Sequence, residues 1–349
     1  MTALLRLTAL LRLLQLLLLT GAVLLCVGVI GGCSRQDDTA LVIYSAGPRP
    51  LIEQISADFT AATGVPVRLF VATTGQLMAK LEAERFRPQA DVVIFASDVA
   101  AEALKQAGRL APLGELAGDA THAGWHDPAG FYLATSAALV GVALGASAVD
   151  TRPDWPQLFS TQPPGRLAMP SPSRSGTAGD FVVAQVLTQG DAAWQDFARA
   201  RAAGLEFPAA NSQALTSLLI GNYHAVIGAA DYLVFRQIEQ GAALAMHYPA
   251  EGVPLMTRPV AMLAGTPRAA DARRFIAHLF SDASQLRIAE AHLLPASVRV
   301  AVSDVRAAAT APARVWRGDV QAALASQGSI LRRFQYQVER AQIPPPEQP

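Results

Sequence analysis

The chain has 349 residues, with 28 basic and 28 acidic side chains and 51% apolar residues, so its formal net charge is zero. This balance excludes a disordered chain, which requires low hydrophobicity and high net charge. It also lacks the basic excess typical of nucleic-acid-binding domains, so we expect no nucleic-acid partner. The length predicts about two domains, and the two cysteines are too few for a disulfide framework or a four-thiolate zinc site.

The first 32 residues have the pattern of an export signal. Arg6 and Arg12 are the only charged residues before Cys33, and residues 13–32 form an uncharged and largely apolar stretch. This pattern predicts a signal peptide over 1–32. The residues directly before Cys33 (Ile-Gly-Gly) resemble the lipobox of bacterial lipoproteins, which implies that Cys33 becomes the lipid-bearing first residue after cleavage. An uncleaved membrane anchor is the alternative, because twenty apolar residues can span a bilayer.

A polar tether over 33–40 leads into a region where strand and helix patterns alternate. Short apolar runs predict buried strands at 41–44, 65–71 and 91–95, and a helical pattern follows each of them. Strands that alternate with helices of this length predict an α/β domain with a mostly parallel sheet.

The second part of the chain repeats this alternation. Residues 131–145 form a long apolar segment that we expect to cross to a second domain, and the Pro-rich stretch after it, 150–164, is predicted to be a loop. A return strand is predicted at 260–264, with helices after it. The tail over 343–349 contains three consecutive prolines and is predicted to be disordered.

The sequence contains none of the common catalytic motifs. There is no G-x-S-x-G elbow, no phosphate-binding Walker loop, no His-Glu-x-x-His and no Cys-x-x-Cys. We therefore expect that the protein is not an enzyme and uses no cofactor.

Three polar turns carry the functional prediction, because each stands between the end of a strand and the start of a helix. Ligands of open α/β sheets bind at the C-terminal ends of strands, and helix N-termini offer unpaired amides to an anion. Three such turns can converge on one small oxyanion. The alternative for each turn is simple helix capping by Ser or Thr. The residues are Ser45 in the first turn, Thr73, Thr74 and Gly75 in the second, and Ser175, Gly176 and Thr177 in the third.

Between about residues 40 and 340 the chain resembles the extracellular solute-binding proteins of bacterial ABC importers, in the group of ferric-iron, polyamine, thiamine and organophosphonate binders. The resemblance implies a type II periplasmic-binding-protein-like fold with hinge crossover strands. The implied lobes are 41–145 plus 255–342 with the C-terminal helices, and 146–254. The segments that carry it are Val42-Ile43-Tyr44-Ser45, Thr74-Gly75-Gln76-Leu77, Ala90-Asp91-Val92-Val93, Ser175-Gly176-Thr177 and Leu294-Pro295, with Trp316 near the end.

The resemblance also implies partners and a location. The partners would be a small-molecule ligand and an ABC permease in the cytoplasmic membrane. The protein would be a monomer in the periplasm or at the cell surface, anchored through Cys33. A sensor lipoprotein of the same fold is the alternative role.

The residues at the expected ligand positions bear on which class of ligand binds. Ferric-iron members of the group use two adjacent tyrosines with His and Glu, but the matching segment here has Asp231 and Tyr232, and Gln76 stands where a Glu is expected. A phosphonate or phosphate ester fits the three turns better, with Arg49 or Arg174 as possible sources of positive charge. Asp231 could pair with a ligand amine or cap its helix. We expect no metal, except at Tyr232 if the iron alternative holds.

Overall fold

A computed structural model describes residues 39–114, 116, 121–160, 166–316 and 318–341. The chain divides into two units, Met1–Ala40 and Leu41–Pro349, and the fold below is that of the second unit. The predicted signal peptide, Cys33, nearly all of the tether and the tail over 343–349 lie outside the described residues, so those predictions are not addressed by the structure.

The first half of the sheet forms as the apolar runs predict. Its elements are β1 (Leu41–Ser45), α1 (Arg49–Thr63), β2 (Val67–Val71), α2 (Thr74–Ala83), β3 (Val92–Ile94) and α3 (Asp98–Gln106). Strand β1 is buried along its whole length and pairs in parallel with both β2 and β3. Helix α1 ends at Gly64, whose φ of 74° lies in the left-handed region and whose amide bonds to the Thr60 carbonyl. Glycine adopts this conformation without steric cost, so it suits the end of the helix.

Two long strands connect this half to the next. After β4 (Leu110–Ala111) comes β5 (Tyr132–Leu144), which is buried over all 13 residues, and its partner is β9 (Val253–Leu263). They pair antiparallel from Tyr132 opposite Ala261 to Leu139 opposite Leu255. The strand order is β2-β1-β3-β9-β5-β7-β6, so β5 and β9 stand at the centre and belong to both halves.

The second half contains its own strand–helix units. Its elements are α4 (Trp155–Ser160), β6 (Leu167–Ala168), α5 (Gly176–Gln189), α6 (Asp191–Ala202), α7 (Asn211–Leu219), β7 (Ala225–Ala230), α8 (Asp231–Glu239) and β8 (Ala245–His247). Helix α4 lies in the stretch predicted to be a loop. Its residues Trp155, Leu158 and Phe159 have helical spacing and are fully buried, so core packing outweighed the local proline signal.

The last part of the chain returns to both halves. Its elements are α9 (Ala269–Leu279), α10 (Asp282–Glu290), β10 (Leu294–Pro295), α11 (Asp304–Thr310), β11 (Val315–Trp316) and α12 (Val320–Phe334), with a π-helical turn over Gln335–Glu339. Phe275 of α9 packs edge-on against Phe59 of α1, with ring centroids 5.2 Å apart. Phe334 of α12 packs against Phe197 of α6 at 5.0 Å. Helix α12 therefore contacts the core of the second half, although the predicted boundaries place it in the first lobe.

The sheet is mixed rather than mostly parallel. Parallel pairs occur between neighbours such as β1 with β2 and β3, and β6 with β7, whereas β9 pairs antiparallel with β3 and β5 pairs antiparallel with β7. The reason is topological. A chain that crosses to a second half and returns must run in opposite directions in its two crossing segments, and these segments occupy the centre of the sheet.

One glycine beside the crossing strands is required by close packing. Gly252 has a φ of +115°, and a Cβ atom there would lie 2.2 Å from Nε1 of Trp316. The Trp316 indole is held in place because it donates to the carbonyl of Glu251 at 2.9 Å. We expect Gly252→Ala to lower the free energy of unfolding by about 1–3 kcal/mol, from backbone strain and overpacking. Urea denaturation measures this loss. Gly318→Ala is the control, because nothing lies within 4 Å of its added methyl; equal stability of the two variants would contradict the argument.

Candidate ligand-binding site

The strand ends of the first half meet at one edge of the sheet. The amide of Ala72, just after β2, donates to the carbonyl of Ser45 at the end of β1 (3.1 Å). The amide of Ala46 donates to the carbonyl of Ile94 at the end of β3 (2.8 Å). These bonds bring the turns after β1, β2 and β3 into contact, as expected for parallel strands whose C-terminal ends share an edge.

Helix α2 begins with a complete capping box. The Thr73 hydroxyl accepts from the amide of Gln76, and the Gln76 side chain accepts from the amide of Thr73 (3.3 and 3.1 Å). Both side chains therefore serve the helix end, which is the capping alternative for Thr73. Thr74 is buried and accepts from the amide of Ala96 (3.1 Å), which fixes the helix start to the turn after β3. Gly75 is exposed in the first turn, where amides have no acceptor within the helix.

The third turn caps a helix of the other half. The Ser175 hydroxyl accepts from the amide of Ala178 (3.3 Å) and from the Asn211 side chain (3.0 Å). A Cβ atom on Gly176 would lie 3.6 Å from Cβ of Thr74 and 3.9 Å from its hydroxyl. The first turns of α2 and α5, which belong to opposite halves of the sheet, therefore lie close together. Thr177 follows at a half-buried position.

Asn211 connects this turn to the end of β7. Its side-chain oxygen accepts from the amide of Ala230 (3.4 Å), while its amide group bonds to Ser175. Tyr232, two residues after Ala230, is half-buried and packs against the core of the first half. Asn211 therefore links the Ser175 turn to the end of β7, and Tyr232 contacts the first half. Asn211, the first residue of α7, was not among the residues predicted from the sequence.

Arg258 on β9 supplies a positive charge at this surface. Its Nη2 donates to the carbonyl of Ala46 (2.6 Å), and its Cζ lies 5.9 Å from the Tyr232 ring centroid. The residue is only 5% exposed, and burial lowers the pKa of its guanidinium. In the described part of the chain, no carboxylate lies within 4.0 Å of it. A buried charge without a partner is costly, so this guanidinium is suited to an anion that arrives from outside.

Sequence analysis did not identify Arg258. An arginine among the apolar residues of a central strand was the available signal. The two arginines considered instead are both exposed. Arg49 forms an ion pair with Glu53 along its own helix at 3.2 Å and also donates to the Val71 carbonyl.

Asp231 is fully buried and internally paired. Its Oδ2 lies 2.7 Å from Nη2 of Arg306 and accepts from the Tyr248 hydroxyl at 3.0 Å. Burial raises the pKa of Asp231, and the Arg306 guanidinium opposes that shift. Interactions with the backbone of Leu139 and Tyr232 also lower this pKa. The structure thus pairs Asp231 with Arg306 of the same chain rather than leaving it free for a ligand amine.

The space at the site is small in this arrangement. A cavity of about 30 Å³ adjoins Ser45, Gly47 and Arg258, which is room for about two water molecules. A neighbouring depression of about 280 Å³ includes Tyr232. Among the described residues, no group of three or more His, Cys, Asp or Glu side chains is arranged to hold a metal ion.

Comparison with known proteins identifies the family. A family model for bacterial extracellular solute-binding proteins matches residues 40–294. This chain belongs to that family. The resemblance found in the sequence is confirmed, and the solute-binding protein is a substrate-binding component of an ABC transporter that functions outside the cytoplasm. A comparison with curated protein sequences found no match.

Several solved structures share its fold. The periplasmic binding protein AfuA from Actinobacillus pleuropneumoniae, with exogenous fructose-6-phosphate bound, is 19% identical, with a TM-score of 0.76 over 86% of this chain and 98% of AfuA. Iron-bound HitA from Pseudomonas aeruginosa is 19% identical, with a TM-score of 0.74 over 84% of this chain and 98% of HitA. A periplasmic thiamin binding protein is 17% identical, with a TM-score of 0.72 over 85% of this chain and 95% of that protein. These likenesses confirm the two-lobed type II fold class. Within its described residues, the solute-binding protein has no helix with the length and apolar character to cross a bilayer.

Proposed function

We propose that this solute-binding protein captures a small oxyanion, such as a phosphonate or phosphate ester, between the two halves of its sheet and delivers it to a permease. The observation that carries the proposal is the buried guanidinium of Arg258, which has no carboxylate within 4.0 Å in the described chain and lies at the same surface as two facing helix N-termini. AfuA shows that this fold accommodates a sugar phosphate.

The donors supply part of the binding energy. Several groups can donate hydrogen bonds to an anion here. They are the amides of the first turns of α2 and α5, the hydroxyls of Ser175 and Thr177, and the Arg258 guanidinium. A hydrogen bond to a charged group contributes about 1.5–3 kcal/mol. Three or four such bonds give about 5–12 kcal/mol before association costs, compared with the roughly 8 kcal/mol of a micromolar complex, so contacts with the rest of the ligand supply the difference.

The ferric-iron alternative has less support. Iron(III) needs several anionic oxygen ligands, but Gln76 is neutral and already belongs to a capping box, and Asp231 is paired with Arg306. The remaining ligand, Tyr232, has the positive charge of Arg258 beside its ring. A cation at this position would be repelled, whereas an anion would be attracted.

Ligand capture requires the two halves to separate, because the first turns of α2 and α5 lie so close together that a Cβ atom on Gly176 would be 3.6 Å from Cβ of Thr74. We propose lobes at 41–145 plus 255–342 and at 146–254, with β5 and β9 as the hinge strands. Helix α12 then bridges the lobes, since it belongs to the first by sequence and packs on the second. The proposal also keeps Cys33 as the lipid anchor and the monomeric state, both of which rest on the sequence alone.

The ligand class is tested by thermal shift of the purified protein. We expect methylphosphonate or fructose 6-phosphate to raise the melting temperature, and Fe(III) with carbonate, thiamine and spermidine to leave it unchanged, because only a bound ligand stabilises the folded state. Thr177→Val should weaken the responding oxyanion by about tenfold through loss of one charge-assisted bond.

Two further variants make the comparison decisive. Thr188→Val removes a hydroxyl at the other end of the same helix and should bind as the wild type does. Tyr232→Phe should retain oxyanion binding. A response to Fe(III) alone that disappears in Tyr232→Phe would overturn the oxyanion proposal in favour of iron.

A further inference from the structure

One buried carboxylate near the crevice has no charged partner. Asp180 lies one helical turn after Gly176 on α5, and its Oδ1 accepts from the Gln327 side chain of α12 at 3.2 Å. Its other oxygen, Oδ2, is buried and makes no hydrogen bond. An unsatisfied buried carboxylate oxygen is costly, so its persistence calls for a physical explanation.

The groups opposite Asp180 come from the first half of the sheet. The Ser97 hydroxyl, between β3 and α3, lies beside the Asp180 carboxyl and is also buried without a hydrogen bond within 3.5 Å. Asp98, the first residue of α3, accepts from the Thr257 hydroxyl of β9 at 3.1 Å. The contact between Asp180 and these residues is therefore a contact between the two halves.

The described charged groups around Asp180 are all acidic. Asp98 on α3 and Asp319 before α12 line the same cavity of about 80 Å³, and the residues contributed to it by β9 are apolar. Within the described chain, no Lys, Arg or His lies within 4.0 Å of the carboxylates of Asp98 or Asp180. Burial, together with the nearby charge of Asp98, raises the pKa of Asp180 to about 7. Burial also raises the pKa of Asp98.

We propose that Asp180 is a proton-dependent latch, so that closure of the two lobes takes up a proton at its carboxyl group and alkaline conditions favour opening. The protonated carboxyl can donate to Ser97 or to Asp98, whereas the ionised form faces the Asp98 carboxylate and has no described cation within 4.0 Å to offset the repulsion. The inference rests on the proposed closure, and it adds a dependence on external pH that the oxyanion proposal does not require.

The direction of the effect follows from linkage. In the open form we expect Asp180 to titrate near its ordinary value of 3.8, and in the closed form near 7. Closure is therefore most favourable below about pH 4. The equilibrium constant for closure falls by up to about tenfold per pH unit between about pH 4 and pH 7, and it is constant above that range.

The test uses small-angle X-ray scattering of the unliganded protein at pH 5 and pH 8. We expect the ratio of closed to open molecules to fall by at least about tenfold for the wild type between these values. Asp180→Asn imitates the protonated carboxyl, so its ratio should be the same at both pH values and at least as high as that of the wild type at pH 5. Asp196→Asn is the matched control, because burial also raises the pKa of Asp196 but its partner is Arg199 within the same helix. It should behave as the wild type does.

A second experiment measures the dissociation constant of fructose 6-phosphate for the wild type and for Asp180→Asn at each pH. The ratio of the two constants is compared, because the titration of the ligand affects both proteins equally and cancels in the ratio. Asp180→Asn should bind at least about tenfold more tightly than the wild type at pH 8, and the difference should nearly disappear at pH 4. Scattering that is independent of pH in the wild type, or that changes equally in Asp180→Asn, would overturn the latch. Absence of binding to any oxyanion would count against the proposed ligand and leave the scattering result to decide the latch.

Discussion

Replacement of Arg258 by methionine should weaken oxyanion binding by about 100-fold or more, measured by isothermal titration with the phosphonate or phosphate ester that responds in thermal shift. Methionine has a similar length and suits the buried position, but it removes the guanidinium. The loss corresponds to two charge-assisted hydrogen bonds of about 1.5 kcal/mol or more each. No other described cation is both buried and free of a carboxylate at this surface, so no neighbour can substitute.

Two further variants separate charge from geometry. Arg258→Lys keeps the charge without the planar fork and should recover only part of the affinity, because a lysine binds an oxyanion as a point charge. Arg174→Gln is the control, since Arg174 is exposed beside the Ser175 turn and should change affinity by no more than about threefold. Wild-type affinity in a folded Arg258→Met protein would exclude Arg258 as the anion-binding group.

Replacement of Arg306 by methionine should lower the free energy of unfolding by about 3–5 kcal/mol, because it leaves the Asp231 carboxylate buried without its countercharge. Both partners are completely inaccessible to solvent, and Arg306 also donates to the backbone carbonyl of His292. Asp231→Leu should lower the free energy of unfolding by a comparable amount, because it leaves the Arg306 guanidinium buried without its countercharge. Equilibrium denaturation in urea measures both losses.

The double variant Asp231→Leu with Arg306→Met should be more stable than either single variant, since no isolated buried charge remains. The exposed ion pair of Arg299 with Asp282 gives the comparison, and Arg299→Met should cost no more than about 1 kcal/mol. Additive losses in the Asp231 and Arg306 double variant would show that the two side chains stabilise the fold independently.

The elements of the first half were largely predictable from local pattern. The apolar run at 41–44 and the turn that contains Thr73 and Thr74 have the predicted structure, because strand burial and helix capping depend on neighbours in sequence. The short helix α4 was not predictable. Its proline-rich sequence favours a loop, and only the aromatic core around Phe181 and Phe197 gives Trp155 a place to pack.

The same division applies to the binding surface. The amino-acid sequence by itself determined the alternation of strands and helices, the polar turns at strand ends and the family resemblance, since each depends on residues close together in the chain. The tertiary structure alone brought Arg258 to the Ala46 carbonyl, 212 residues away, and Arg306 to Asp231, 75 residues away. Whether a charged side chain faces solvent, a ligand or an opposite charge depends on which distant segments fold beside it, and local sequence carries no record of that placement.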